Sequence, residues 1–92
     1  MKSLLSGKVL WITGSSSGIG AALAEEASNR GARLLLSGRN EEALGSVAAR
    51  CKTADVAILP FDLADPRKRA EAAGRAATFF GPVDVLLLNA GV

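Results

Sequence analysis

The sequence contains neither histidine nor tyrosine, and its 92 residues include one cysteine and one tryptophan. Without histidine, the chain lacks the side chain that most often serves as a metal ligand and as a general base near neutral pH. A single cysteine excludes an internal disulfide and a zinc site of the usual Cys/His type. The chain by itself therefore offers few groups for catalysis, and we predict no metal site.

Strong charge and long apolar runs are also missing. Eleven basic and nine acidic side chains give a net charge of +2, which is too small to indicate nucleic acid or a membrane surface as a partner. The basic cluster Arg67-Lys68-Arg69 has no aromatic neighbours on which bases would stack. Apolar runs such as residues 85–88 fall far short of the roughly 18 residues of a membrane span. The start of the chain is shorter than the apolar region of a signal peptide, so we predict a cytoplasmic protein.

What the sequence does contain is a regular alternation of short apolar runs and helical patterns. Apolar residues make up 49% of the chain, which excludes disorder. Four runs predict strands, at residues 9–12, 33–37, 56–59 and 83–88. Helices are predicted between them, over residues 19–30, 41–52 and 66–80. Such an order, βαβαβαβ, is typical of a parallel sheet with right-handed crossovers and helices on both faces.

Local signals support these boundaries. Asn40 and Asp65 are placed to cap the second and third helices, and Gly31 to end the first. Pro60 directly follows the third strand and lacks a ladder donor, which places that strand at a sheet edge. A spacing of four residues puts three side chains on one face of the first helix, namely Ile19, Leu23 and Ala27. The corresponding stripe of the second helix is Leu44, Val47 and Cys51.

A glycine-rich segment, Thr13 to Gly20, lies where the first strand meets the first helix. Gly14 permits a tight turn, Gly18 lets the backbone approach a ligand, and Gly20 allows the helix to pack closely on the sheet. Free N–H groups at the helix start favour a pyrophosphate, and hydroxyls from Ser15 to Ser17 are expected to assist them. The spacing is G-x-x-x-G-x-G, and a purely structural glycine turn is the alternative.

Three motifs in this order identify a resemblance to the short-chain dehydrogenase/reductase family. The segment Thr13–Gly20 resembles the family signature T-G-x-x-x-G-I-G, and Asp62-Leu63 follows the third strand where the family has an adenine-contacting Asp. The segment Leu88–Gly91 is similar to the family motif N-N-A-G, with Leu88 in place of the first Asn. The resemblance covers nearly the whole chain. It implies a Rossmann-type α/β fold in which residues 1–92 form the N-terminal part of one dinucleotide-binding domain.

The resemblance also implies a role for each matching residue. Thr13 ties the turn to the fourth strand, while Asp62 and Leu63 hold the adenine. For Asp62, capping of its own loop is an alternative, and for Asn89 the alternative is a simple turn residue. The pyrophosphate is lined by Gly14, Ser16, Gly18 and Ile19, with Ser17 and Gly20 in the same site, and the ribose and nicotinamide side is bordered by Asn89, Ala90 and Gly91.

The end of the second strand indicates which nicotinamide cofactor is preferred. An acid about 20 residues beyond the glycine turn binds the ribose 2′-hydroxyl of NAD and repels the 2′-phosphate of NADP. Here that position is Gly38, and Arg39 follows it. Because an arginine can form charge-assisted bonds with a phosphate, we predict NADP(H) in preference to NAD(H), with NAD(H) still possible. The alternative is that Arg39 stacks on the adenine or faces water.

The predicted function is hydride transfer between a nicotinamide cofactor and a carbonyl or alcohol substrate. The family's chemistry needs a Tyr, a Lys four residues later and a Ser, and none of them can be assigned here, so we expect the chain alone to be inactive. They are expected beyond Val92, in a longer enzyme that forms a homo-oligomer and whose next strand would cover the open edge at residues 83–88. The alternative is a catalytically silent nucleotide-binding module.

Overall fold

The computed structural model describes residues 4–53 and 55–89 and confirms the alternation of strands and helices. Within these ranges, no helix combines the length and the apolar character needed to cross a membrane. The elements are β1 (Val9–Thr13), α1 (Gly18–Asn29), β2 (Arg33–Ser37), α2 (Glu41–Arg50), β3 (Val56–Ile58), α3 (Pro66–Phe80) and β4 (Val85–Leu87).

The four strands form one parallel sheet in the order β3-β2-β1-β4. From β1 the chain moves outward through β2 to β3, and α3 then carries it back to the other side of β1. The strand order therefore reverses at β1, and a crevice forms beyond its carboxyl end. This is the predicted Rossmann-type arrangement, with β3 at an edge as Pro60 indicated.

Two apolar layers cover the two faces of the sheet. Alternate residues of β1 and β2 point to opposite faces because the side-chain period of a strand is two. One layer packs against α1 and α2 and contains Leu10, Ile12, Leu34 and Leu36. The other packs against α3 and contains Trp11, Leu35, Leu59, Ala72 and Ala76. The prediction of helices on both faces is thus confirmed.

The buried face of α1 differs from the predicted one. Ile19 is 73% exposed and Leu23 is 42% exposed, so only Ala27 of the predicted triad is buried. Large leucine and isoleucine side chains of β1 and β2 already fill the layer beneath this helix. Only small helix residues fit above them, and the buried positions are Gly20, Ala21, Ala24, Ala27 and Ser28.

The predicted helix ends are largely confirmed. The Asn40 carboxamide oxygen accepts a hydrogen bond from the Ala43 N–H at 3.0 Å, and Asp65 accepts from the first N–H groups of α3. Gly31 has a positive φ of 83°, as expected for the glycine after a helix. In α2, Leu44 and Val47 are buried and Cys51 is half-buried; Cys51 is extended, so α2 ends two residues earlier than predicted.

The fourth strand is shorter than the predicted 83–88. At its start, the Asp84 carboxylate accepts the Val9 N–H at 2.8 Å, and the Asp84 N–H donates to the Val9 carbonyl at 2.9 Å. The Asp84 carboxylate thus takes the place of a backbone carbonyl as the acceptor for Val9 N–H. The regular hydrogen bonding between β1 and β4 begins only at Val85. On the described sheet β4 lies at an edge, with Val85 and Leu86 exposed.

The small-residue face of α1 can be tested by enlarging it. Ala24 is fully buried, so Ala24→Leu is expected to lower the free energy of unfolding by about 1–3 kcal/mol through overpacking. Ala22 lies exposed on the same helix, and Ala22→Leu should change it by less than about 0.5 kcal/mol. Urea denaturation followed by circular dichroism measures both. Equal stability of the two variants would contradict this packing.

Candidate functional site

The loops that follow β1, β2, β3 and β4 meet at the carboxyl edge of the sheet. Backbone and side-chain hydrogen bonds join neighbouring loops in a row, so they form one continuous surface. The bonds are Ser15 N–H to the Ser37 carbonyl at 3.1 Å, Phe61 N–H to the Gly38 carbonyl at 3.0 Å, and Asn89 Nδ2 to the Gly14 carbonyl at 3.2 Å.

Two glycines of the turn after β1 adopt conformations that other residues rarely take. Gly14 has a φ of 65° and Gly18 a φ of 59°. A Cβ atom added at Gly18 would meet no heavy atom within 4 Å. Gly18 is therefore required by its backbone angle, and the space beside it is open to a ligand.

Gly20 lies in a much tighter place. A Cβ atom there would collide with the Gly14 carbonyl oxygen and lie 2.8 Å from Asn89 Nδ2. The predicted close approach at Gly20 therefore exists, but its partners are the turn itself and the loop after β4 and not the sheet. The absence of a side chain lets the first turn of α1 sit directly against both.

The three serines of the turn have different surroundings. Ser15 is fully buried, and its Oγ donates toward the carbonyls of Ile12 at 3.0 Å and Ser37 at 3.3 Å. The expectation that its hydroxyl assists a phosphate is thus wrong, because the hydroxyl is buried and already bonded to these carbonyls. Ser17 is exposed at the N-cap of α1, where its side chain makes no capping bond. Ser16 is half-buried, and its Oγ lies 3.5 Å from the position of a Cβ added at Gly38.

Thr13 and Asn89 join β1 to β4. The Thr13 hydroxyl donates to the Leu87 carbonyl at 3.3 Å and accepts the Asn89 N–H at 3.1 Å. This is the tie to the fourth strand that the resemblance implies. The Asn89 side-chain amide donates to the Gly14 carbonyl, so it stabilises the turn after β1. Ala90 and Gly91, the other two members of that motif, lie outside the described residues.

The loops after β2 and β3 carry four further predicted residues, namely Gly38, Arg39, Asp62 and Leu63. Arg39 is exposed, and within residues 4–53 and 55–89 its side chain has no hydrogen-bond or ion-pair partner. One Asp62 carboxylate oxygen accepts the Ala64 N–H at 2.9 Å, so loop capping by Asp62 is observed. The Leu63 carbonyl accepts from the Arg69 guanidinium at 2.9 Å.

Other reactive side chains lie away from this edge. Cys51 follows α2, near the amino ends of the strands, and burial raises the pKa of its thiol. In the described part of the chain, no group of three or more His, Cys, Asp and Glu side chains is placed to hold a metal ion. Sequence reasoning overlooked Ser37, a buried serine that ends β2, although a polar residue closing an apolar strand was visible as a signal.

Comparison with known proteins assigns this arrangement to a family. A family model described as short chain dehydrogenase matches residues 8–92. The chain belongs to the short-chain dehydrogenase family. In this family it is similar to dehydrogenase/reductase SDR family member 7 of Mus musculus, with 39% identity over 93 residues, which cover 95% of this chain and 28% of the mouse protein.

Two further proteins extend the comparison. The 11-beta-hydroxysteroid dehydrogenase A of Sesamum indicum is 38% identical over 91 residues, covering 96% of this chain and 26% of that protein. The crystal structure of Caenorhabditis elegans glucose dehydrogenase in the apo form superposes with a TM-score of 0.86 at 30% identity, covering 97% of this chain and 40% of that one. This short-chain dehydrogenase sequence thus spans well under half the length of each protein it matches here.

The contact at Gly20 generates a direct test. Gly20→Ala forces a methyl group against the Gly14 carbonyl and Asn89, and it is expected to lower the free energy of unfolding by about 1–3 kcal/mol. Gly74, on the exposed side of α3, has no atom within 4 Å of an added Cβ, so Gly74→Ala should raise it by about 0.4–1 kcal/mol. Urea denaturation measures the free energy of unfolding of both variants. A Gly20→Ala variant as stable as the unmodified chain would contradict the close contact at Gly20.

Proposed function

We propose that this chain is the NADP(H)-binding portion of a short-chain oxidoreductase that transfers hydride between the nicotinamide and a carbonyl or alcohol substrate. The observation that carries the proposal is the meeting of four loops at the switch point of the sheet, with an open glycine turn at the start of a 12-residue helix. Residues 1–92 are then the N-terminal part of a single dinucleotide-binding domain.

The glycine turn fits the pyrophosphate. The first N–H groups of an α-helix have no acceptor within the helix, and those of α1 are not capped by the Ser17 side chain. They lie beside the open space at Gly18 and share the positive end of the helix dipole, which stabilises an anion by about 0.3–1 kcal/mol at an exposed site. In this proposal Gly14, Ser16, Ser17 and Ile19 complete the cradle.

The loops after β2 and β3 fit a 2′-phosphate better than a free 2′-hydroxyl, and their residues Gly38, Arg39, Asp62 and Leu63 are here called the adenosine end. Gly38 brings no carboxylate to the end of β2, and the nearest following acids, Glu41 and Glu42, belong to the first turn of α2. Arg39 is exposed and unpaired among the described residues, so its guanidinium is available to an added anion. Asp62 and Leu63 border the adenine, and NAD(H) remains the weaker alternative cofactor.

The chemistry divides between the cofactor and the protein. When bound, the nicotinamide supplies the hydride or accepts it. The residues of this chain bind and orient the dinucleotide, with Asn89, Ala90 and Gly91 on the ribose and nicotinamide side. No tyrosine is present to move the substrate proton, and loss of a general acid costs about 10²–10⁴ in rate. Turnover requires a proton-transferring group that residues 1–92 do not supply, and we propose that the active protein is a cytoplasmic homo-oligomer.

The second candidate function is a nucleotide-binding module without catalytic activity, which would use the same dinucleotide site. Both candidates bind NADP(H), and they differ in turnover. Sequencing the source gene beyond Val92 separates them, because the enzyme requires a downstream Ser and a Tyr-x-x-x-Lys segment. A reading frame that ends at Val92 would favour the silent module.

Cofactor preference is tested at Arg39. If its guanidinium holds the 2′-phosphate, Arg39→Ala should weaken NADPH binding about 10- to 100-fold, which corresponds to about 1.5–3 kcal/mol for a hydrogen bond to a charged group. NADH binding should change less than about twofold.

The matched control is Arg30→Ala, which removes the same charge from the far end of α1, where Arg30 pairs with Glu26. Titration of nicotinamide fluorescence measures the dissociation constants of NADPH and NADH for the unmodified chain and for both variants. An Arg39→Ala variant with an unchanged ratio of NADPH to NADH affinity would contradict the assignment.

A further inference from the structure

The only tryptophan of the chain, Trp11, contacts Ser37 at the end of β2 and Phe61 in the loop after β3. These two residues directly precede the segments of the adenosine end. We propose that Trp11 is a positioning residue for the adenosine half of the cofactor, acting through Ser37 and Phe61. The inference rests on the proposed function, because it concerns the same dinucleotide site.

The first contact runs from Trp11 to the end of β2. The indole Nε1 donates a hydrogen bond to Ser37 Oγ at 2.8 Å, and both residues are buried. In the parallel register Trp11 pairs with Leu35, so this bond reaches diagonally toward the carboxyl end of β2. Ser37 is the last residue of that strand and directly precedes Gly38 and Arg39.

The second contact runs from Trp11 to the loop after β3. The rings of Trp11 and Phe61 are 6.3 Å apart between centroids and inclined at 54°, a favourable tilted geometry. The Phe61 N–H donates to the Gly38 carbonyl at 3.0 Å, and Phe61 directly precedes Asp62. A single indole therefore supports both segments that flank the proposed adenine.

These contacts matter because Arg39 has no support of its own. Its side chain makes no hydrogen bond or ion pair within the described residues, so its direction depends on the backbone at the end of β2. Ser37 fixes that backbone from two sides, through the bond from Trp11 and through its carbonyl, which accepts the Ser15 N–H at 3.1 Å. An aliphatic residue at position 11 would remove both the hydrogen bond to Ser37 and the ring contact with Phe61.

The test compares Trp11→Phe, which keeps a ring and loses the donor, with Ser37→Ala, which loses the acceptor. The probe is 2′,5′-ADP, titrated calorimetrically into the 92-residue chain. Each variant is expected to raise its dissociation constant about threefold to tenfold, and the double variant no more than the stronger single one, since both remove the same bond. Inorganic pyrophosphate, which probes the glycine turn, should bind all of them as it binds the unmodified chain.

The control is Ser28→Ala, which removes another buried, hydrogen-bonded serine at the opposite end of the sheet. It should leave the dissociation constant of 2′,5′-ADP within twofold. A second readout is the indole N–H resonance, which belongs to Trp11 alone. It should shift on addition of 2′,5′-ADP in the unmodified chain and in Ser28→Ala, and stay in place in Ser37→Ala.

The outcomes separate this inference from the proposed function. If the unmodified chain fails to bind 2′,5′-ADP, both are overturned. If it binds, and Ser37→Ala binds equally well, only the role of Trp11 is overturned. If the variants bind both 2′,5′-ADP and pyrophosphate more weakly, the role of Trp11 is also overturned, because equal losses at both ligands indicate a general structural effect. Should Trp11→Phe fail to fold, Ser37→Ala decides the question alone.

Discussion

The close approach of α1 to the turn after β1 is the constraint on which the rest of this site depends. Gly20 lies against the Gly14 carbonyl and the Asn89 side chain, where no larger residue fits. That contact fixes where α1 begins, and it thereby sets the direction of its first N–H groups. Because Asn89 follows β4, the same contact joins the first and last parts of the described chain.

The sheet order turns this local contact into a site. With β1 between β2 and β4, the loops after three neighbouring strands converge, and Thr13 locks the central strand to β4. The membership of the chain in the short-chain dehydrogenase family agrees with this geometry. Gly20 allows the close approach of α1, and the space beside Gly18 is open. Arg39 is exposed, makes no ion pair within residues 4–53 and 55–89, and provides charge at the neighbouring loop.

Much of the fold could be predicted from the sequence, because the alternation of strands and helices, the caps and the edge position of β3 follow from local signals. Asn40, Asp65 and Gly31 act within a few residues of themselves, so their effects are visible in a single segment. The buried face of α1 was predicted wrongly because periodicity cannot show that the sheet beneath it is already filled by large residues. Likewise, the inward turn of Ser15 and the bond between Trp11 and Ser37 depend on partners distant in sequence. The roles of the site residues toward a cofactor remain predictions.

The most direct test of the central claim is a backbone amide titration of the isotopically labelled chain with NADPH, followed by nuclear magnetic resonance. We expect the largest shifts at three segments, residues 14–20, 38–39 and 62–63, which follow β1, β2 and β3. Amides near Cys51 and Ser28, at the opposite edge of the sheet, should remain unchanged. Absence of shifts in a folded sample, or shifts centred on the basic start of α3 alone, would contradict the account.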